Sequence, residues 1–421
     1  MPPRTRSPID ELPPPTLVVD PAGFEELLGV LERETEIAVD TEADSFFHYR
    51  EKVCLIQVTA GGRDYLLDPL AGLDLDPFGQ VLADPRRTKV FHDGEYDVLI
   101  LKRDYGFSFA GLFDTRVASA ALGCANPGLA SVLKEHFDVE LDKSQQRSDW
   151  SRRPLSEKQV AYARLDTHFL ISLMHLLVPQ LEERGRLDVV AGECRRVEAL
   201  EPPERVFNPD EFIRLKGARA LSPGQMQALR ELFRLRERLA EERDVPPFKV
   251  LGNDALVAAA RAQPRSPREL GRVAGFPQRL VRPLADAVVG AVSEARRLGP
   301  LKRAPRLPSR DGTSELSDDE LELHERLKAW RKGRAVAEEL DASLVLNRHL
   351  LLGLARERPT DPDALQRLDG LQDWQIERYG EQLVELVSEF EADLAAGRVP
   401  PPASRRQSQG GRRRRQSGSR G

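Results

Sequence analysis

The sequence predicts an α/β domain built on a mixed sheet, followed by two small all-α helical bundles. Strand and helix patterns alternate from about Thr16 to Asp188. Beyond Asp188 the strand signals stop and helical periodicity takes over, and that helical part carries one pattern twice. At 421 residues the chain exceeds one ordinary core, and length alone predicts about two to four domains.

The opening MPPRTRSPIDELPPP, residues 1–15, lacks the apolar stretch of a secretory signal and reads as a disordered lead-in. Ile37 and Val39 form a short strand ahead of Asp40. VCLIQVTA from Val53 is a second strand and DYLLDP from Asp64 a third, with Gly61-Gly62 as the hairpin turn and Arg63 closing it. KVFHD from Lys89 is a fourth, followed by a helix from about Glu95 to Asp104. Three strands joined by short turns and then strand–helix alternation argue for a mixed sheet. A later helix has a marked start: Ser156 and Gln159 fit a capping box, with Leu155 and Val160 placed for a hydrophobic staple. This domain is expected over 16–190.

Pro202-Pro203 and Asn208-Pro209 punctuate a connector over 191–212. A first bundle is expected over 213–298, a Pro- and charge-rich linker over 299–314, and a second bundle over 315–396. In the first, LAEERD ends at Asp244, Asn253 precedes Leu256, and Pro264 leads to Leu270 and Gly275. In the second, VAEELD ends at Asp341, Asn347 precedes Leu350, and Pro359 leads to Leu365 and Gly370. The stretch before the asparagine reads as shortened in the second copy, which lacks Pro246-Pro247. Residues 397–421 are Pro-, Ser- and Gly-rich, carry Arg405, Arg406, Arg412 to Arg415 and Arg420, and are expected to be disordered.

No apolar run reaches the roughly 18 residues of a membrane span. Cys54, Cys124 and Cys194 are odd in number and form no CxxC pair, which fits buried or free thiols in a reducing cytoplasm. The net charge of -5 gives the whole chain no long-range pull on nucleic acid, so any attraction must be local. The arginine-rich tail is one such candidate.

Four acids carry the chemistry: Asp40 and Glu42 in AVDTEADS, Asp97 in KVFHDGEYDVLIL, and Asp166 in QVAYARLDTHFL. Asp40 and Glu42 are two apart on a strand, so they leave one face of the sheet. Tyr162 and Asp166 are four apart on a helix and also share a face. Asp97 falls in the first turn of its helix, where an acid suits the dipole. Any one of these alone would read as a surface acid or a cap. Asp and Glu are disfavoured in strands, and converging carboxylates repel one another unless cations or protons neutralise them. An all-carboxylate set suits Mg²⁺ or Mn²⁺, and two such ions about 4 Å apart can clamp a phosphodiester displacement.

Asp40-Thr41-Glu42, Asp97 within HDGEYD, and Tyr162-Ala-Arg-Leu-Asp166 together resemble the three-motif signature of the DEDDy 3′→5′ exonucleases, in particular the ribonuclease D family. Ala161 stands where the histidine branch of that superfamily would carry its histidine, so the tyrosine branch fits. The resemblance implies a ribonuclease-H-like fold. It implies that Asp40, Glu42, Asp97 and Asp166 hold two divalent metal ions, Mg²⁺ or Mn²⁺, and that Tyr162 orients the attacking water. The repeated unit, with RERLAEERDVPPFKVLGNDAL in the first copy, resembles HRDC domains, the second copy being more divergent. The implied partner is RNA, namely transfer-RNA precursors and other small structured RNAs, in the cytoplasm, with nucleoside 5′-monophosphates as products. Thr41, His92, Lys143, Arg147 and Trp150 are candidate substrate contacts, Trp150 being equally readable as packed on the domain edge. Asp114 reads either as support for the site or as a helix N-cap. Arg261, Arg265, Arg268 and Arg272 mark a candidate binding face on the first bundle.

Two rivals stand beside this. A DNA 3′→5′ exonuclease would use the same carboxylates, although no GxxxxGK[ST] helicase loop occurs. A non-catalytic RNA-binding protein on the same scaffold is opposed by the complete carboxylate set.

Overall fold

The strands of the first domain are β1 (Thr16–Val18), β2 (Glu36–Ala43), β3 (Val53–Ala60), β4 (Arg63–Leu67), β5 (Thr88–Phe91) and β6 (Leu112–Asp114). They form one sheet in the order β1-β4-β3-β2-β5-β6. The β2–β3 and β3–β4 pairs are antiparallel; β1–β4, β2–β5 and β5–β6 are parallel. The sheet is therefore mixed, as the strand order predicts. This computed structural model describes residues 12–399 other than 205 and 310. The arginines of the tail and most of the N-terminal lead-in lie outside the described residues.

β3 is central and every one of its residues is buried, which explains its near-continuous apolar run. Gly61 and Gly62 both take positive φ (57° and 71°), as a tight hairpin with the right twist requires. The strands β1 and β6 escape a sequence reading. Each is three residues long, too short to show a period.

Helices α1 (Pro21–Leu31), α2 (Asp76–Ala83), α3 (Glu95–Tyr105), α4 (Thr115–Ala121), α5 (Leu129–Phe137), α6 (Glu157–His168), α7 (Leu170–Glu183) and α8 (Leu187–Ala199) surround the sheet. The boundary expected at 190 falls inside α8. Gly192, Cys194 and Val197 extend its buried face beyond that point, and the chain turns away only near Pro202-Pro203.

The first bundle comprises α9 (Pro223–Glu242), α10 (Pro247–Val250), α11 (Asn253–Ala262), α12 (Pro267–Leu270) and α13 (Gln278–Leu298). The second comprises α14 (Asp318–Ala337), α15 (Ala342–Val345), α16 (Arg348–Glu357), α17 (Pro362–Gln366) and α18 (Asp373–Ala395). Each helix starts at the same offset from its counterpart, and so do the non-glycine residues at positive φ: Asp244 with Glu339, and Gln263 with Arg358. The second copy is therefore not shortened. Asp244 corresponds to Glu339 rather than Asp341, and Asn253 to Arg348 rather than Asn347. Matching like letters misleads at these two positions because equivalence is set by place in the backbone and not by residue identity.

The two bundles attach differently. Leu323, Leu344, Leu383 and Trp374 of the second share one apolar core with Ala118, Leu173, Leu181 and Val189 of the first domain. The first bundle keeps its own core and meets the β2–β3 loop through Tyr49, which packs against that core, and through polar contacts. There Tyr49 Oη donates to Glu237 (2.7 Å), His48 Nδ1 pairs with Asp244 (2.7 Å), and Lys249 Nζ sits 4.0 Å from the Phe47 ring centroid. The expected linker is not free. Leu301 and Leu307 pack on the first bundle, and Pro308 O accepts from Arg214.

Candidate active site

β2 sends Asp40 and Glu42 from one face, opposite Gln57 and Leu55 of β3. The register slips between Glu42 and Ala43, so pairing breaks where the site begins. α6 carries Tyr162 and Asp166. Ser156 and Gln159 close the expected capping box, and Leu155 and Val160 join Trp150 and Tyr162 in one apolar cluster that fixes the helix against β3. Asp97 lies in the first turn of α3.

One ligand oxygen from each of Asp40, Glu42 and Asp166 lies within 4.8 Å of the others. Asp97 faces the same cavity, and its Oδ1 accepts the Thr41 hydroxyl. The cavity, of about 580 Å³, is lined by Asp40, Glu42, Asp97, Tyr162 and Asp166 together with basic and aromatic side chains.

Burial dominates the electrostatics. Desolvation, then repulsion from Asp97, Asp166 and Glu42, holds the Asp40 carboxyl well above the usual carboxylate range. The same effects push Glu42 up to about 9. Asp166 is raised by burial and then by Asp97. Asp97 rises only to about 6, because hydrogen bonds from Thr41 and the backbone offset its burial. Burial and the neighbouring carboxylates also raise Tyr162, so its hydroxyl proton is firmly held.

This donor set fits hard divalent cations: all ligands are oxygens, their charges repel, and Asp166 Oδ2 is buried without a protein partner. Folded-state pKa values above the unfolded ones favour the folded state at low pH, and that contribution fades as pH rises through the folded values. For Glu42 the window runs from 4.5 to about 9, and for Asp97 from 3.8 to about 6. The melting temperature of metal-free protein is expected to fall between about pH 5 and pH 9 by this contribution. Added Mg²⁺ or Mn²⁺ should flatten the fall, a pattern that paired thermal melts would reveal.

The supporting residues divide. His92 lines the cavity. Its Nδ1–H donates to Thr115 Oγ1 (2.9 Å), since that hydroxyl already donates to Phe91 O, and burial lowers its pKa to about 4. Asp114 serves both readings. It caps α4 through the Arg116 and Val117 amides, and it accepts from Asp93 N and Gly94 N, holding the turn before Asp97 in which Asp93 takes φ +65°. Lys143 and Arg147 line the cavity. Trp150 does not. It is fully buried, with its ring centroid 6.0 Å from that of Tyr162, so it packs behind the site and cannot meet a base.

Phe46, Tyr96, Arg116 and Gln146 also line the cavity and were not singled out from sequence. Phe46 stays 41% exposed, with the Arg147 guanidinium 5.7 Å from its centroid. Its position just beyond Glu42 is the one available sequence signal.

A 3′-5′ exonuclease family model matches residues 15–182, and an HRDC domain model matches twice, at 225–292 and 320–387. Ribonuclease D of Pseudomonas paraeruginosa is 32% identical over 357 residues, covering 83% of this chain and 91% of that protein. The chain belongs to the ribonuclease D family. It is accordingly a 3′→5′ exoribonuclease with two HRDC units. The crystal structure of Escherichia coli RNase D, described as an exoribonuclease involved in structured RNA processing, superposes with a TM-score of 0.63 at 26% identity, covering 89% of this chain and 99% of that one. The catalytic core of RRP6 from Trypanosoma brucei does so with a TM-score of 0.63 at 30% identity, covering 68% and 80%. The expected family, fold class and exoribonuclease activity are thus borne out.

Proposed function

We propose that this family member trims the 3′ ends of transfer-RNA precursors and other small structured RNAs in the cytoplasm, releasing nucleoside 5′-monophosphates. In this reading Asp40, Glu42, Asp97 and Asp166 hold two Mg²⁺ or Mn²⁺ ions. What carries it is the meeting of four carboxylates and one tyrosine on the wall of a single open cavity. Bound there, the cations would supply charge stabilisation at the phosphate and acidify the attacking water.

The remaining work falls to the chain's own side chains. Tyr162, whose proton is held tightly, orients the water through its hydroxyl instead of taking its proton. Gln146 and the packed Trp150 fix the direction of that hydroxyl. Thr41 aligns Asp97. Lys143, Arg147 and Arg116 ring the acids and give the incoming phosphates a cationic rim, with His92 placed beside them. We assign auxiliary RNA binding to the first bundle, a reading supported by the exposed Arg261, Arg265, Arg268 and Arg272, and chiefly packing to the second, a reading supported by its shared core. We place the exonuclease domain at 16–190 with α8 as its extension, and the HRDC units at 213–298 and 315–396.

Tyr162→Phe is expected to lower kcat about 100-fold with little change in KM, because only water positioning is lost. Single-turnover kinetics would decide; an unchanged kcat would remove Tyr162 from the mechanism. The reading as a whole is tested with 5′-labelled structured RNA bearing a short 3′ extension, and with matching DNA, in Mg²⁺, Mn²⁺ or chelator. A metal-dependent ladder shortening from the RNA 3′ end is expected. Preference for DNA would overturn the substrate, and chelator-resistant shortening would overturn the metal assignment.

A further inference from the structure

Gln57 is the anomaly of the central strand. It is fully buried in β3, among VCLIQVTA, and neither its Nε2 nor its Oε1 has a protein partner. A buried amide left in that state bears the desolvation cost of its polar atoms with no hydrogen bond in return, whereas an apolar side chain of the same shape bears none. Folding alone therefore gives no reason for glutamine at this position.

Its surroundings are those of the carboxylate site. Gln57 pairs in register with Asp40, and directly opposed residues on antiparallel strands point to one face with Cβ atoms about 5 Å apart. The neighbours on that face bracket it against α6. Leu55 clusters with Ala163, Trp150 and Tyr162, and Thr59 Oγ1 is 2.8 Å from Thr167 Oγ1. Between Ala163 and Thr167 lies Asp166, whose Oδ2 is the complementary orphan: a buried acceptor without a protein partner. Strand register and packing thus place an unpartnered buried amide on the face of β3 that α6 covers, and α6 is the helix that carries the unpartnered Asp166 Oδ2.

We propose that Gln57 is a positioning residue for the metal site, its amide N–H donating to Asp166 Oδ2 when cations are held and so fixing the orientation of that carboxylate. This rests on the reading that the carboxylates hold divalent metal. Supporting partners of this kind typically govern metal affinity by 10–100-fold.

The test uses the full-length chain carrying Gln57→Met or Gln57→Leu, two apolar replacements of different shape. Mn²⁺ uptake would be titrated by the electron paramagnetic resonance of the free ion, and melting recorded without metal. Both variants are expected to bind Mn²⁺ about tenfold more weakly or worse, while their metal-free melting temperatures stay level or rise. Wild-type Mn²⁺ affinity in both variants would overturn the proposal and leave the metal reading standing. A lower metal-free melting temperature in both, with Mn²⁺ affinity intact, would overturn it in favour of a purely structural glutamine. No Mn²⁺ uptake by the wild-type protein would instead remove the metal reading, and this inference with it.

Discussion

Asp40→Asn is expected to lower turnover by about three orders of magnitude while raising the melting temperature of the metal-free protein. Asparagine keeps the size and much of the hydrogen bonding of Asp40 but removes its charge. A cation's stabilisation of the transition state is worth several kcal/mol, and each 1.36 kcal/mol is tenfold in rate. Loss of a proposed metal ligand whose oxygen lies beside those of Glu42 and Asp166 should therefore be severe. The stability change has the opposite sign. Asp40 is disfavoured as an anion by burial first and by three neighbouring carboxylates next, so near neutral pH a neutral amide relieves the cluster. Single-turnover rates and chelator-treated melts measure the two effects. Near-normal turnover would remove Asp40 from the site, and a lowered metal-free melting temperature would refute the account of mutual repulsion.

Trp374→Ala is expected to cost about 3–5 kcal/mol of stability, the range for truncating a large buried aromatic. Trp374 is 3% exposed in the first turn of α18. It sits in the core that joins the second HRDC unit to the exonuclease domain, edge-on to Tyr379 with centroids 5.9 Å apart. Its indole lies over Gly192 of α8 so closely that a Cβ there would come 2.5 Å from Nε1. Arg378 holds the same seam, with its guanidinium 5.5 Å from the Trp374 ring and Nη2 2.8 Å from Asp188 Oδ1. Chemical denaturation of the full chain measures the loss. A cost under about 1 kcal/mol would mean that this unit does not share the domain's core.

The carboxylates and Tyr162 were legible because each sits on a regular element whose period fixes its direction: spacing of two on β2, of four on α6, and a first-turn position on α3. Trp150 was not decided by sequence, because an aromatic beside basic residues reads alike whether it stacks on a base or packs beside Tyr162. Phe46 and Arg116 stand outside the motifs, and only the folding of the β2–β3 loop and α4 brings them to the cavity. The bundle repeat was legible in kind, and its register was right at Pro264 with Pro359, Leu270 with Leu365 and Gly275 with Gly370, but not at Asp244 and Asn253, where the constant offset of helix starts and left-handed residues falls on unlike letters.

By itself the sequence determined the mixed sheet with two helical units behind it, the motifs that identify the family, and which acids could form the candidate site. These are local matters of period, turn chemistry and residue type, fixed by how near neighbours along the chain must point. Only the tertiary structure decided that Gln57 lies buried behind Asp40, that Asp114 braces the turn before Asp97, and that one HRDC unit shares the exonuclease core while the other keeps its own and meets the β2–β3 loop. Those facts depend on residues far apart in the chain being packed together, and a buried polar group declares its purpose only through the partners that packing brings it or denies it.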